Sequence, residues 1–173
     1  EKGAILAKIV ETEAYFGQKD PGSHAYRGIS PRNRIMFGPA GKAYVYLVYG
    51  KHYCFNIVTE KYGIPGAVLI RAGEPIEGMQ LMRKNRRIGG PLAYLTNGPG
   101  KLTEALGITA SMNGVDLTGN KLFVVSDTNR GETAETSKIF GITKTGRIGI
   151  KKGSNLPYRY YIEGSKFVSR TIP

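Results

Sequence analysis

Residues 4–15 carry apolar side chains at both parities, Ile5, Ala7 and Ile9 on one and Leu6, Val10 and Ala14 on the other, so a strand here is buried on both faces. That same strand ends in two carboxylates. Continuing the period of two places Glu11, Glu13 and Tyr15 on the face of Ile5 and Ile9, toward the core. A chain that buries acids must pair them or use them, because an uncompensated charge out of water is too costly to keep. Arg71, alone in the otherwise apolar run 67–72, has the matching need for an acid, a phosphate or a bound water. Two readings of Glu13 stand side by side: a structural salt bridge to an arginine such as Arg71, or a general base.

The rest of the chain reads as short elements without a β-α-β rhythm. Residues 16–42 are rich in Gly, Pro, Ser and Asn and form a long ordered loop, a kind of segment that is usually functional in a compact domain. Residues 43–49 and 53–59 pair as a hairpin about a turn containing Gly50. Residues 67–72 are a buried strand. The spacing predicts helices over 76–87, with a basic end, and over 99–106, with Gly107 as its cap. Further strands are expected at 121–125, 159–163 and 166–169. No internal repeat or Gly-rich phosphate fingerprint is present. This pattern predicts an α+β fold, a single domain over 1–173.

Charge narrows the partners. The chain has 25 Lys and Arg against 13 Asp and Glu, a formal net charge of +12. The excess is blocked: residues 26–59 hold five basic side chains and no acid, and residues 137–173 hold eight and only Glu163. Neither block has the sustained amphipathy of a membrane-surface helix, so nucleic acid is the expected polyanion. A single Cys excludes an internal disulfide, and with two His it cannot build a common structural zinc site. No metal or cofactor is expected. No run approaches the roughly 20 apolar residues of a bilayer span, and no leader opens the sequence. The expectation is an intracellular protein, cytoplasmic and nucleoid-associated in a bacterium or nuclear in a eukaryote. A start at Glu1 suggests a trimmed N-terminus.

Five aromatics crowd 44–55: Tyr44, Tyr46, Tyr49, Tyr53 and Phe55. Tyr44 and Phe55 suit the core of the hairpin. Tyr49 sits at the approach to the turn, where an exposed ring can wedge between bases. With the turn centred on Lys51, Tyr46 lies opposite Asn56, and an aromatic wall beside an amide suits a nucleobase. A non-catalytic module that stacks single-stranded bases remains an alternative on these residues.

The string ETEAY (Glu11 to Tyr15), His24, PRNR (Pro31 to Arg34), Met36-Phe37 and YVYLVYG (Tyr44 to Gly50), leading to Asn56 and Arg71, resembles the alkyladenine (3-methyladenine) DNA glycosylase family. The likeness continues through NGPGKL (Asn97 to Leu102) and GRIGI (Gly146 to Ile150), in order over nearly the whole chain. The resemblance implies a curved antiparallel sheet with peripheral short helices. It implies a monomeric, monofunctional base-excision-repair enzyme, without a cofactor, acting on duplex DNA that contains alkylated or deaminated purines of the 3-methyladenine, 7-methylguanine, hypoxanthine and ethenoadenine class. A glycosylase that also nicks the strand through a Lys Schiff base is disfavoured by it.

By motif position, the resemblance makes Glu13 the base that activates water, with Arg71 holding that water and the flipped nucleotide. Tyr15, His24 and Tyr46 would stack on the base, and Asn56 would exclude normal guanine. The backbone near Ile148 and Ile150 would complete the water site. Tyr49 would fill the gap in the helix, with Lys51, Arg32, Arg34 and Lys101 on DNA. Lys51 departs from the apolar residue expected beside the wedge and adds a phosphate contact. Glu11 reads as structural.

Overall fold

A computed structural model describes residues 3–126 and 141–170. Its centre is a six-stranded, wholly antiparallel open sheet in the order β2-β3-β4-β1-β6-β5. The strands are β1 (Leu6–Tyr15), β2 (Ala43–Val48), β3 (His52–Val58), β4 (Ala67–Glu77), β5 (Ile142–Thr145) and β6 (Arg159–Ile162). Two helices, α1 (Met79–Arg86) and α2 (Pro99–Leu106), and four short 3-10 turns complete an α+β architecture.

Alternation divides the sheet into two working faces. Ala43, Val45, Phe55 and Ile70 meet Leu102 of α2, Ile108 and Leu117 in the larger core. Tyr44, Val58 and Ala67 face the other way, onto Ala25 and Met36 of the long loop. The loop is held by buried polar residues: the Asn33 Nδ2 donates to the carbonyls of His24 and Gly28, both at 2.9 Å. Such bonds let irregular backbone be buried without orphaned polar groups.

The central pair β1–β4 carries two bulges side by side. Ile9 pairs with Gly73 and Glu11 with Ala72, leaving Val10 extra on β1; Thr12 then pairs with Ile70, leaving Arg71 extra on β4. Bulges bend a strand and re-aim its side chains. They correct the simple period of two: Ile9 is 37% exposed while Glu11 is 1% exposed, so the carboxylate face is not the continuation of the Ile5–Ile9 face.

Other boundaries also move. The helix expected at 76–87 begins at Met79, because pairing with β1 carries β4 through Pro75 to Glu77. Pro75 is tolerated there because β3 pairs with β4 only over Ala67, Val68 and Leu69, so its missing N–H breaks no ladder on that side. The turn of the hairpin is centred on Gly50, with Val48 paired to His52. Asn56 therefore faces Tyr44, and Tyr46 faces Cys54; the shift is an even number of residues, so the same side chains share the face. Residues 121–125 are not a strand, although the Val124 amide donates to the Leu117 carbonyl at 3.0 Å. Residues 166–169 are not one either, since β6 already has β1 and β5 on its two edges. β5 was not anticipated.

Leu102 is 2% exposed between α2 and the sheet. Leu102→Ala is expected to lower stability by about 2–5 kcal/mol, read from denaturant midpoints, through lost burial and the cavity left behind.

Candidate active site

Pairing across the sheet puts one row of side chains on one face: Tyr44 of β2 faces Asn56 of β3, Asn56 faces Leu69 of β4, Leu69 faces Glu13 of β1, and Glu13 faces Arg159 of β6. The bulged Arg71 reaches into this row. Residues distant in sequence thus become neighbours because directly opposed positions point to the same side.

At one end lies a buried charge network. Glu11 Oε1 accepts from Arg71 Nε at 2.9 Å, Arg159 Nε at 2.7 Å and the Ser169 hydroxyl at 2.8 Å, and its Oε2 accepts from the Ser169 amide at 2.6 Å. That carboxylate accepts four hydrogen bonds, three of them on Oε1, which makes Glu11 a clamp for two arginines. Ser169 thus spends its backbone amide on a side chain instead of a strand ladder.

Glu13 is fully buried and differently held. Its Oε1 accepts from the Ile148 amide at 2.7 Å and lies 3.2 Å from Arg71 Nη1, and its Oε2 accepts from the Tyr15 hydroxyl at 2.9 Å. Arg71 Nη1 also lies 3.5 Å from the Ile148 carbonyl oxygen. The ion pair and the catalytic reading are thus compatible, since one arginine serves both carboxylates. Burial, then the charge and hydrogen bond of Glu13, holds the Tyr15 hydroxyl far above its ordinary titration range, so it remains a donor.

Beyond Tyr15 opens a cavity of about 50 Å³ lined by Tyr15, His24, Tyr44, Tyr46, Asn56 and Ile150, with Gly22, Met36 and Ala67 completing it. The His24 and Tyr46 rings meet edge to face at 4.6 Å between centroids, and His24 Nδ1 lies 2.9 Å from the Tyr44 hydroxyl. Burial and then the Arg32 charge lower the affinity of His24 for a proton, which keeps the imidazole neutral at neutral pH. Burial pushes the Tyr44 hydroxyl up to about 12. The Asn56 Nδ2 donates to the Tyr44 carbonyl at 3.1 Å, so the amide is fixed by its own hairpin.

The structure brings Glu13, Tyr15, His24, Tyr46, Asn56, Arg71, Ile148 and Ile150 together. The remaining positions are peripheral. Tyr49 is 90% exposed at the hairpin tip, with φ of +52°, a left-handed conformation that costs a non-glycine residue energy and gathers at functional sites. Lys51 is exposed beside it, and Arg34 is exposed on the long loop. Arg32 donates to the Leu47 carbonyl at 3.3 Å and lies 5.1 Å from the Tyr46 ring centroid. Lys101 stands in the first turn of α2, which abuts the hairpin: a Cβ on Gly100 would come within 3.0 Å of His52.

Three features were missed from sequence. Tyr44, expected only as core, also lines the cavity. Arg147 and Arg159, counted in the basic block 137–173, turn inward, with Arg147 bonded to Asp20 at 2.5 and 2.6 Å. Positions 137–140 and 171–173 of that block lie outside the described residues. Asp20 stands in an Asp-Pro-Gly stretch, and nothing in its neighbourhood along the chain announces a partner 127 positions away.

Burial pushes the Asp20 carboxyl up, but the Arg147 bonds and the Gly22 and Phe16 amides outweigh it and hold the group below its usual range. A carboxyl depressed in the folded state stabilises fully above its unfolded titration range, about pH 4, and the contribution is lost as pH falls through the folded value. Urea midpoints are expected to fall between about pH 5 and pH 2, with Asp20→Asn giving a lower but flatter profile.

Comparison with known proteins agrees with this geometry. Residues 1–166 match the family model described as methylpurine-DNA glycosylase (MPG). A protein of Methanoculleus marisnigri named "Putative 3-methyladenine DNA glycosylase" is 48% identical over 170 residues, covering 98% of this chain and 85% of its own. Proteins with the same name from Carboxydothermus hydrogenoformans and Chlorobium phaeobacteroides are each 49% identical, over 96% and 94% of this chain and 83% and 77% of theirs. With a buried carboxylate beside an aromatic cavity, and a family match over nearly its whole length, the chain belongs to the methylpurine-DNA glycosylase family.

Proposed function

We propose that residues 1–173 form one monomeric, intracellular DNA glycosylase domain that flips alkylated or deaminated purines out of duplex DNA and hydrolyses their N-glycosidic bond, leaving an abasic site. The observation that carries the reading is Glu13, a fully buried carboxylate shared between Arg71, Ile148 and Tyr15 at the edge of the aromatic cavity. The substrates are the 3-methyladenine, 7-methylguanine, hypoxanthine and ethenoadenine class.

In this scheme Tyr15, His24 and Tyr46 form the stacking walls around the extruded base. Asn56, locked by the Tyr44 carbonyl, crowds the 2-amino group of guanine. Water is held by Glu13, Arg71 and the Ile148 carbonyl. Its oxygen bonds to the sugar C1′ as the C1′–N bond breaks, the departing base keeps the bonding electrons, and Glu13 takes the proton. A carboxylate there also stabilises the oxocarbenium character of the sugar. Alkylated purines that carry positive charge leave as neutral bases and need least assistance. Damaged or mismatched pairs cost least to unstack, so selection begins with flipping.

Tyr49 enters the space the base vacates, while Lys51, Arg32, Arg34 and Lys101 hold phosphates. Phosphate contacts set register and the cavity sets choice. Glu13→Gln is expected to keep binding lesion-containing duplex and to lose about 10²–10⁴-fold in base release, measured by chromatography of free purines at saturating enzyme. Full excision by that variant would remove Glu13 from its role. Tyr49→Ala should slow excision from duplex more than from single strands, where no gap has to be filled. Affinity for duplex should fall steeply with added salt, and a flat dependence would contradict the phosphate contacts.

A further inference from the structure

Arg147 and Asp20 have no part in the chemistry just described, yet their side chains are 0% and 1% exposed. Arg147 donates to four oxygens on three residues. Its Nη1 and Nη2 donate to the two Asp20 oxygens at 2.5 and 2.6 Å, and further to the carbonyls of Ala14 at 2.9 Å and Gly153 at 3.2 Å. Asp20 is itself fixed by the amides of Gly22 at 2.9 Å and Phe16 at 3.2 Å. The guanidinium carbon lies 4.6 Å from the centroid of the Tyr15 ring and 5.3 Å from that of Tyr158. A planar cation held by a carboxylate is a rigid platform for an aromatic ring.

Two donors besides Arg71 reach Glu13, one for each oxygen: the Ile148 amide on Oε1 and the Tyr15 hydroxyl on Oε2. Arg147 governs both. The ring that bears the hydroxyl rests on its guanidinium, and Ile148 is the next residue in the chain. Gly22 shows how closely this assembly fits, since a Cβ there would come within 2.8 Å of both Arg147 Nη2 and the Ile150 side chain.

We infer that Arg147, fixed by Asp20, is a positioning residue for Glu13: it sets the plane of Tyr15 and the place of the Ile148 amide, and through them the direction in which the carboxylate meets water. The inference rests on the general-base reading of Glu13. Misplacing a catalytic group by about 1 Å can cost on the order of 100-fold in rate, so such a support matters to chemistry without touching substrate. The alternative is that Arg147 only packs beneath Tyr15, in which case its loss weakens folding and lesion binding and leaves the bound-state rate intact.

The test uses Arg147→Lys, Tyr15→Phe and Glu13→Gln in the full chain, each measured for thermal midpoint, affinity for lesion-containing duplex, and single-turnover excision at saturating enzyme. Arg147→Lys keeps a cation facing Asp20 and removes the planar fork; Tyr15→Phe keeps the ring and removes one hydroxyl. Both variants are expected to slow excision at saturation by about tenfold or more while affinity changes little. The combined variant should be little slower than the worse single one, since both act through one carboxylate.

A bound-state rate that stays unchanged in Arg147→Lys and Tyr15→Phe, with Glu13→Gln inactive, would overturn the inference alone. Excision retained by Glu13→Gln would overturn the general-base reading and this inference with it. Should Arg147→Lys fail to fold, Tyr15→Phe decides by the same two readouts.

Discussion

Two buried carboxylates and two buried guanidiniums, Glu11 and Glu13 with Arg71 and Arg159, hold the middle of the sheet to its C-terminal end. The four charges balance: the guanidiniums meet one oxygen of each carboxylate, and the Ser169 amide and the Tyr15 hydroxyl hold the other two. Breaking such a network from one side is costly because the remaining charge is stranded, even though an apolar replacement of the whole would be tolerated. Its value is geometric. Glu11 aims Arg71, Arg71 reaches Glu13, and Ser169 ties the last described segment to the first strand.

The bulges at Val10 and Arg71 make that network possible. In an unbroken ladder Arg71 would lie on the Leu69 face, directly opposite one residue of β1, as an ordinary paired strand residue. Set free of pairing, it can lean between two carboxylates of the neighbouring strand. The same irregularity separates the exposed Ile9 from the buried Glu11. Polar function and apolar packing therefore share one strand: the row Tyr44, Asn56, Leu69, Glu13 turns to the cavity, and Ala43, Val45, Phe55, Ile70 turn to α2.

The surface charge takes on a different distribution once the arginines are placed. Arg71, Arg147 and Arg159 are internal, each bonded to an acid, so they add to the formal excess without facing solvent. Lys51, Arg32, Arg34 and Lys101 remain on the outside, with Arg32 bonded to the hairpin that carries Tyr49. No helix among the described residues is long and apolar enough to cross a membrane.

Much of this was legible along the chain. Short apolar runs marked β1 to β4, and a helix from Pro99 with Gly107 as its cap followed from local stereochemistry, because those signals act within a few residues. The acid pair after an apolar strand, and the lone Arg71 in an apolar run, announced a buried charged site before any coordinates. What only the tertiary structure decided were relations between distant segments: which acid Arg71 clamps and which it serves, that Tyr44 lines the cavity, that Asp20 meets Arg147, and that 166–169 bonds to a carboxylate instead of a strand. The physical reason is that a bulge shifts register by one residue and reverses what every later side chain faces, while an ion pair needs only opposite charges brought close. Neither leaves a mark in the neighbouring sequence, so the composition of the site could be read from the residues and its geometry could not.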